Sequence, residues 1–185
     1  ITPGLDKEIS SEFMKILKKQ NIKFYLSHKV EKVERINNTI KITAKDDDGS
    51  DIKFESDYCL VSVGRKPYTE GLNLNELEIK TSDAGQIIVN ENLQTSKSNI
   101  YAIGDVIRGS MLAHKAEEEG IAVAEILAGQ AGHVNYDVVP GVIYTAPEVA
   151  SVGKTEEELK KMKKNYKVGK FPFLANSRAK VNNET

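Results

Sequence analysis

Apolar positions recur with a helical period over residues 6–20. Ile9, Phe13, Ile16 and Leu17 fall on one face, Asp6 is placed to cap the first turn, and Glu8 lies within it. The period then shortens. "IKFYL" (22–26) reads as a short strand. "KVEKVERI", "IKITAK" and "DIKFES" alternate apolar and polar positions around the turn signal "DDDGS". Together these predict a small antiparallel meander with Ile40, Ile42, Ile52 and Phe54 directed inward. "YCLVSVG" (58–64) is continuously apolar, the pattern of a strand buried on both faces.

Beyond it, "RKPYTEGLNLNELEI" reads as a connection, and "TSDAGQIIVNENLQT" as a turn, a short strand and a polar segment. "NIYAIGD" predicts a second buried strand, and residues 112–128 the strongest helix of the chain. "GQAGHVNYDVVPG" leads away from that helix. From Val142 the texture changes again, to "VIYTAPEVASVG", a helix and the strand "YKVGKFPF". Thr155 and Glu158 have capping-box spacing, with Leu159 and Met162 on the inner side. The final "NSRAKVNNET" predicts no closing helix or strand, and the opening "ITPGLDKEIS" has neither a methionine nor a leader pattern. The chain is therefore expected to be an internal piece of a larger, multidomain protein. No internal repeat or low-complexity tract is evident.

Composition narrows the function classes. The formal net charge is −1 and lysines alternate with acids, which gives no electrostatic reason to expect nucleic acid or an anionic membrane as partner. No apolar run approaches the roughly 20 residues of a membrane-spanning helix. The single cysteine, Cys59, allows no intrachain disulfide and suits a reducing compartment. Within an apolar run it is expected to be a small buried hydrophobe. No His, Cys or Asp spacing suggests a metal site.

The candidate chemistry lies in "NIYAIGDVIRGSMLAHKAEEEG" (99–120). In open parallel sheets ligands bind beyond the carboxyl ends of strands, and Asp105 follows such an end. Gly104 removes a side chain where the backbone must turn or approach a ligand. Asp105 has two readings: a turn former or helix cap, or an acceptor for the hydroxyls of a sugar or ribityl chain. The helix start at 111–115 presents free N–H groups and a positive dipole end. Ala113, Ala116, Gly120 and Ala124 form a stripe of small residues that lets a backbone or a flat ring come close. One histidine at a helix start, His114, reads as packing or capping, and Glu117, Glu118 and Glu119 as a solvated first-turn patch that complements the helix dipole.

"IYAIGD" followed by "MLAHKAEEEG" resembles the second flavin-contacting motif of the pyridine nucleotide-disulfide oxidoreductases, and within them the lipoamide branch. "VSVGRKP" resembles the strand that leaves the nicotinamide-nucleotide domain, "YTAPEVASVGKTEEEL" the opening of the dimer-interface domain, and "FPFLANSRA" the strand and loop after it. The resemblance covers essentially the whole chain, in the family's order. It implies an α/β fold: parts of FAD/NAD(P)-binding Rossmann-like domains, followed by the start of an α+β dimerisation domain. Residues 1–64 would be the C-terminal part of the NAD-binding domain, 65–138 the returning half of the FAD-binding domain, and 139–185 the N-terminal part of the dimerisation domain.

The same resemblance implies residue roles. Asp105 would hydrogen-bond the ribityl part of FAD. Met111, Leu112, Ala113 and His114 would line the flavin, and Val30 and Gly64 would contact NAD. The implied activity of the intact protein is oxidation of dihydrolipoamide with reduction of NAD through FAD. Its implied partners are the dihydrolipoyl domains of 2-oxo acid dehydrogenase complexes, the glycine cleavage system and a second copy of itself. It would reside in the mitochondrial matrix of a eukaryote, with a plastid as a further option, or in bacterial cytoplasm. A sister disulfide or mercuric reductase and a non-catalytic cofactor-binding module are the alternatives.

Other family features have no counterpart here. The chain contains no G-x-G-x-x-G, no pair of redox cysteines, and no matching context for a catalytic histidine–glutamate pair at His28 or His133. No catalytic residue is assigned to it, and the piece is expected to be inactive alone.

Overall fold

In the computed structural model, which describes Ile1–Thr185 throughout, the first helix (α1) spans Lys7–Lys19. It belongs to a unit made of Ile1–Val63 and Thr155–Gly169; Gly64–Lys154 and Lys170–Thr185 form a second unit. No helix is long and apolar enough to cross a membrane.

Asp6 caps α1 as expected: its Oδ1 accepts from the Glu8 N–H at 3.1 Å. Its other oxygen accepts from the Glu156 N–H, also at 3.1 Å, at the start of a later helix in the same unit, α3 (Glu156–Lys161). One carboxylate thus serves the positive ends of two helices. The capping box of α3 is formed. Thr155 Oγ1 accepts from the Glu158 N–H, and Glu158 Oε2 accepts from the Thr155 N–H. Packing covers only the second half of α1, so Phe13 and Leu17 are buried while Ile9 is exposed. Met162 is also exposed: α3 ends at Lys161, and the residue falls off the stripe that leaves Leu159 half-buried.

Three strands follow α1: β1 (Lys29–Ile36), β2 (Thr39–Lys45) and β3 (Asp51–Ser56). They pair antiparallel in that order. Asp46 Oδ1 accepts from the Asp48 and Ser50 N–H groups and folds the "DDDGS" turn between β2 and β3. Cross-strand pairs Ile42–Phe54 and Ala44–Ile52 set the inner face. Ala44 is buried, whereas Ile40, Ile42, Ile52 and Phe54 are half-buried. Lys41–Glu55 and Lys45–Asp51 ion pairs lie on the outer side.

Two expected strands do not form. "IKFYL" carries no ladder, with Ile22, Tyr25 and Leu26 exposed. Residues 58–63 form no strand, and Leu60 and Val63 are each 90% exposed. A run that is apolar on both sides becomes a buried strand only when strands flank it and helices cover it, and nothing in the structure does so. Cys59 is accordingly half-buried, not enclosed.

In the second unit Ile79, Ile87, Val89, Leu93, Ala102, Ile107, Ala122 and Val134 make one core. The "NIYAIGD" run contributes Ala102, but it is not a central parallel strand. It meets Leu93 and Gln94 through one antiparallel bridge, Gln94–Tyr101, and the bond from the Ala102 N–H to the Leu93 carbonyl. The second helix, α2, spans Ala113–Leu127. A short hairpin, β4 (Gly141–Ile143) with β5 (Val149–Ser151), follows.

The predicted strand "YKVGKFPF" is absent, and Val168, Phe171 and Phe173 are exposed. The terminal segment does form a helix, α4 (Ser177–Asn182). Asn176 accepts from the Ala179 N–H at its start, an N-cap signal present in "NSRA".

Replacing Asp6 by alanine should cost about 1–2 kcal/mol and raise amide hydrogen exchange at the first turns of both α1 and α3. Loss of protection in α1 alone would show that the bond to Glu156 contributes nothing.

Candidate functional site

Gly104–Val106 form a 3-10 turn directly after Ile103. Gly104 adopts φ +74°, and a Cβ built there would lie 3.2 Å from the Ala116 Cβ. Both the handedness of the turn and its approach to α2 therefore call for glycine. The Gly104 N–H donates to Glu119 Oε2 at 2.7 Å, and its carbonyl accepts from Lys115 Nζ at 3.2 Å. Lys115 Nζ lies 2.9 Å from Glu119 Oε1 and 3.1 Å from Oε2, and the Tyr136 hydroxyl donates to Oε1 at 2.9 Å. The two charged side chains are 1% and 0% exposed.

Dehydrating such a pair costs several kcal/mol per ion, which only close geometry and further hydrogen bonds offset. Here those bonds come from the backbone of Gly104 and from Tyr136. The expectation that Glu117, Glu118 and Glu119 form a solvated first-turn patch is corrected twice over: the first turn of α2 holds no acid, and the three do not share one environment. Glu117 and Glu118 are exposed, but Glu119 is enclosed. Successive helical residues turn by about 100°, and Glu119 falls on the packed side of α2 while Glu117 and Glu118 do not. Glu119 shares its face with Lys115 and Ala122. The small-residue stripe does admit a backbone: Gly104 lies over Ala116, and a Cβ built on Gly120 would be 3.5 Å from Ile103 Cδ1.

Asp105 stands on this clamped turn, its side chain 40% exposed. Arg65 Nη2 donates to Asp105 Oδ2 at 2.7 Å, and Arg65 Nη1 to the Met111 carbonyl at 3.5 Å. Asp105 does not cap α2. The N-cap is Leu112, which supplies no side-chain hydrogen bond, and the first turn carries no acid. His114 Nε2 donates to the Pro140 carbonyl at 2.8 Å. Asp105, Met111, Leu112, Ala113 and His114 thus all sit in the second unit, on the turn and the α2 start. Gly64 opens that unit, with φ +112° and open space where a Cβ would stand. Val30 belongs to the other unit, exposed on β1.

An acceptor carboxylate beside an uncapped helix N-terminus can hold hydroxyls together with the electron-rich edge of a polar ring. The site contains no thiol. Arg65, Lys115 and Tyr136 are participants that the sequence left unassigned, and Glu119 is one that it placed in solvent. The one signal for the buried pair was Lys and Glu four residues apart, which usually marks an exposed helix face.

The sequence pattern described as pyridine nucleotide-disulphide oxidoreductase matches residues 1–120, and that of the corresponding dimerisation domain matches residues 139–185. The mitochondrial dihydrolipoyl dehydrogenase of Pisum sativum is 54% identical over 98% of this chain and 36% of its own length. That of Caenorhabditis elegans is 51% identical over 98% of this chain and 37% of its own length. A leghemoglobin reductase of Glycine max is 53% identical over 98% of this chain and 35% of its own length. The chain therefore spans just over a third of these relatives. Among solved structures, the HOCl-induced flavoprotein disulfide reductase RclA of Escherichia coli matches with a TM-score of 0.85. It has 26% identity, over 99% of this chain and 41% of that one.

Two outcomes follow from the buried cluster. Lys115→Met leaves Glu119 charged and uncompensated, and should cost about 3–5 kcal/mol in denaturant unfolding. The Tyr136 hydroxyl has its pKa pushed up from 10.0 to about 12, first by burial and then by its bond to Glu119. Its folded pKa is raised, so its stabilisation is fully present below pH 10 and lost as pH rises toward 12. The denaturation midpoint of the parent relative to Tyr136→Phe should be constant below pH 10 and shrink above it. A gap that stays constant through that range would refute the assignment.

Proposed function

Because the chain belongs to the pyridine nucleotide-disulphide oxidoreductase family, we propose that the Gly104–Val106 turn and the start of α2 are the flavin seat of a dihydrolipoyl dehydrogenase. The observation that carries this is the α2 N-terminus, free of any side-chain cap, beside an accessible Asp105 carboxylate. Arg65 engages one oxygen of Asp105, and the other is the acceptor for a ribityl hydroxyl of FAD. Met111, Leu112, Ala113 and His114 line the ring, with the N–H groups around Ala113 toward its pyrimidine edge. Negative charge on the reduced ring is favoured there by the dipole of α2. Val30 and Gly64 contact NAD. The positive φ of Gly64 and the open space at its Cβ position suit close approach of a dinucleotide to the backbone.

When bound, FAD supplies the electron transfer between a dithiol and NAD; the chain's own residues bind and orient it. The activity proposed for the full-length protein is oxidation of dihydrolipoamide and reduction of NAD, in 2-oxo acid dehydrogenase complexes and glycine cleavage. The dithiol chemistry needs residues outside this segment, so the segment alone is inactive. Residues 1–64, 65–138 and 139–185 act as parts of the NAD-binding, FAD-binding and dimerisation domains. The dimerisation-domain match supports a homodimer, and the mitochondrial relatives support a mitochondrial matrix location in a eukaryote.

The full-length protein should be yellow and should reduce NAD with dihydrolipoamide. Asp105→Ala should weaken FAD binding by about tenfold or more, as expected for loss of a hydrogen bond to a charged group. A colourless protein that binds no FAD, or unchanged affinity in the variant, would sink the proposal.

A further inference from the structure

We propose that Lys115, Glu119 and Tyr136 are positioning residues for the flavin seat, gripping the Gly104 peptide and tying it to the segment that enters the dimerisation region. This inference rests on the flavin-seat reading.

Both hydrogen-bonding groups of Gly104 meet helix side chains, the N–H on Glu119 and the carbonyl on Lys115, and the carbonyl also accepts from the Ile107 N–H within the turn at 3.3 Å. Asp105 is the next residue, so its backbone position relative to the α2 start is set by the two side-chain bonds. Tyr136 begins the 3-10 turn Tyr136–Val138, and residue 139 begins the dimerisation-domain match. The Tyr136 hydroxyl on Glu119 and His114 Nε2 on the Pro140 carbonyl give α2 two attachments to that short segment.

Local energetics do not account for the pair. Lys N-terminal to Glu is the weaker order for a helical i,i+4 pair. An ammonium in the first turn also faces the positive end of the dipole. Apolar residues of similar volume often replace a buried ion pair with no loss of stability. What apolar residues cannot do is accept from the Gly104 N–H and donate to its carbonyl. The grip on Gly104 is the property that only polar side chains supply at these positions.

Two double variants of the full-length protein separate positioning from stability. Lys115→Met with Glu119→Leu removes both side-chain partners of Gly104, leaving its carbonyl only the Ile107 N–H of its own turn. Lys115→Met with Glu119→Gln is also uncharged, but its amide oxygen still accepts from the Gly104 N–H. Each apoprotein is titrated with FAD, followed by visible circular dichroism of the flavin, and its thermal midpoint is measured without cofactor. The two variants should unfold at similar temperatures. The leucine variant should bind FAD about tenfold more weakly than the parent with an altered flavin spectrum, and the glutamine variant should recover most of that loss. Equal FAD affinity and equal spectra in both variants would overturn the inference. Failure of the parent itself to bind FAD would instead overturn the flavin-seat reading. If the leucine variant does not fold, Tyr136→Phe decides: affinity reduced about threefold supports the tie, and unchanged affinity and spectrum refute it.

Discussion

A lysine and a glutamate one helical turn apart, both shut off from water, hold the geometry on which the candidate site depends. Charge at such depth is costly, and it persists only where every oxygen and proton finds a partner. Glu119 meets that condition with Lys115, the Gly104 N–H and Tyr136. The consequence is local rigidity. A glycine turn that would otherwise have wide freedom is held at its N–H and its carbonyl, and Asp105 inherits a defined place.

From that fixed turn the rest of the site follows. Gly104 lies over Ala116, which settles how the turn approaches α2. Leu112 leaves the helix start uncapped, so its N–H groups and dipole remain available to a ligand. Arg65 reaches over Asp105 and the Met111 carbonyl, so the segment after "VSVG" is in contact with the same rim. The site therefore combines a rigid base with an acceptor and donors at its edge. That arrangement suits holding a cofactor in one orientation, and it contains nothing that makes or breaks a substrate bond.

Local signals were legible in the sequence; long-range satisfaction was not. Asp6, the Thr155–Glu158 box, the "DDDGS" turn and the limits of α2 rest on interactions within a few residues, and the structure reproduces them. "YCLVSVG" and "IKFYL" show the converse. Their apolar patterns specify strands, but a strand exists only through its neighbours, and these runs are exposed and unpaired. Asp105 and the α2 start were legible as candidates because strand end, glycine and acid fall in order. Glu119 was not, because three consecutive glutamates look alike until tertiary partners single one out. Tyr136 was further still, since its role depends on the chain returning from the end of α2 to a residue 17 positions earlier.

The α/β architecture and family are established by sequence and structural similarity; the central claim is that the Gly104 turn and the α2 start seat a flavin. A crystal structure of the full-length protein with FAD tests it most directly. The account predicts an Asp105 oxygen within hydrogen-bond distance of a ribityl hydroxyl, the ring edge facing the N–H groups near Ala113, and Glu119 still holding the Gly104 N–H. FAD bound elsewhere, or bound with Asp105 remote from the ribityl chain, would contradict it.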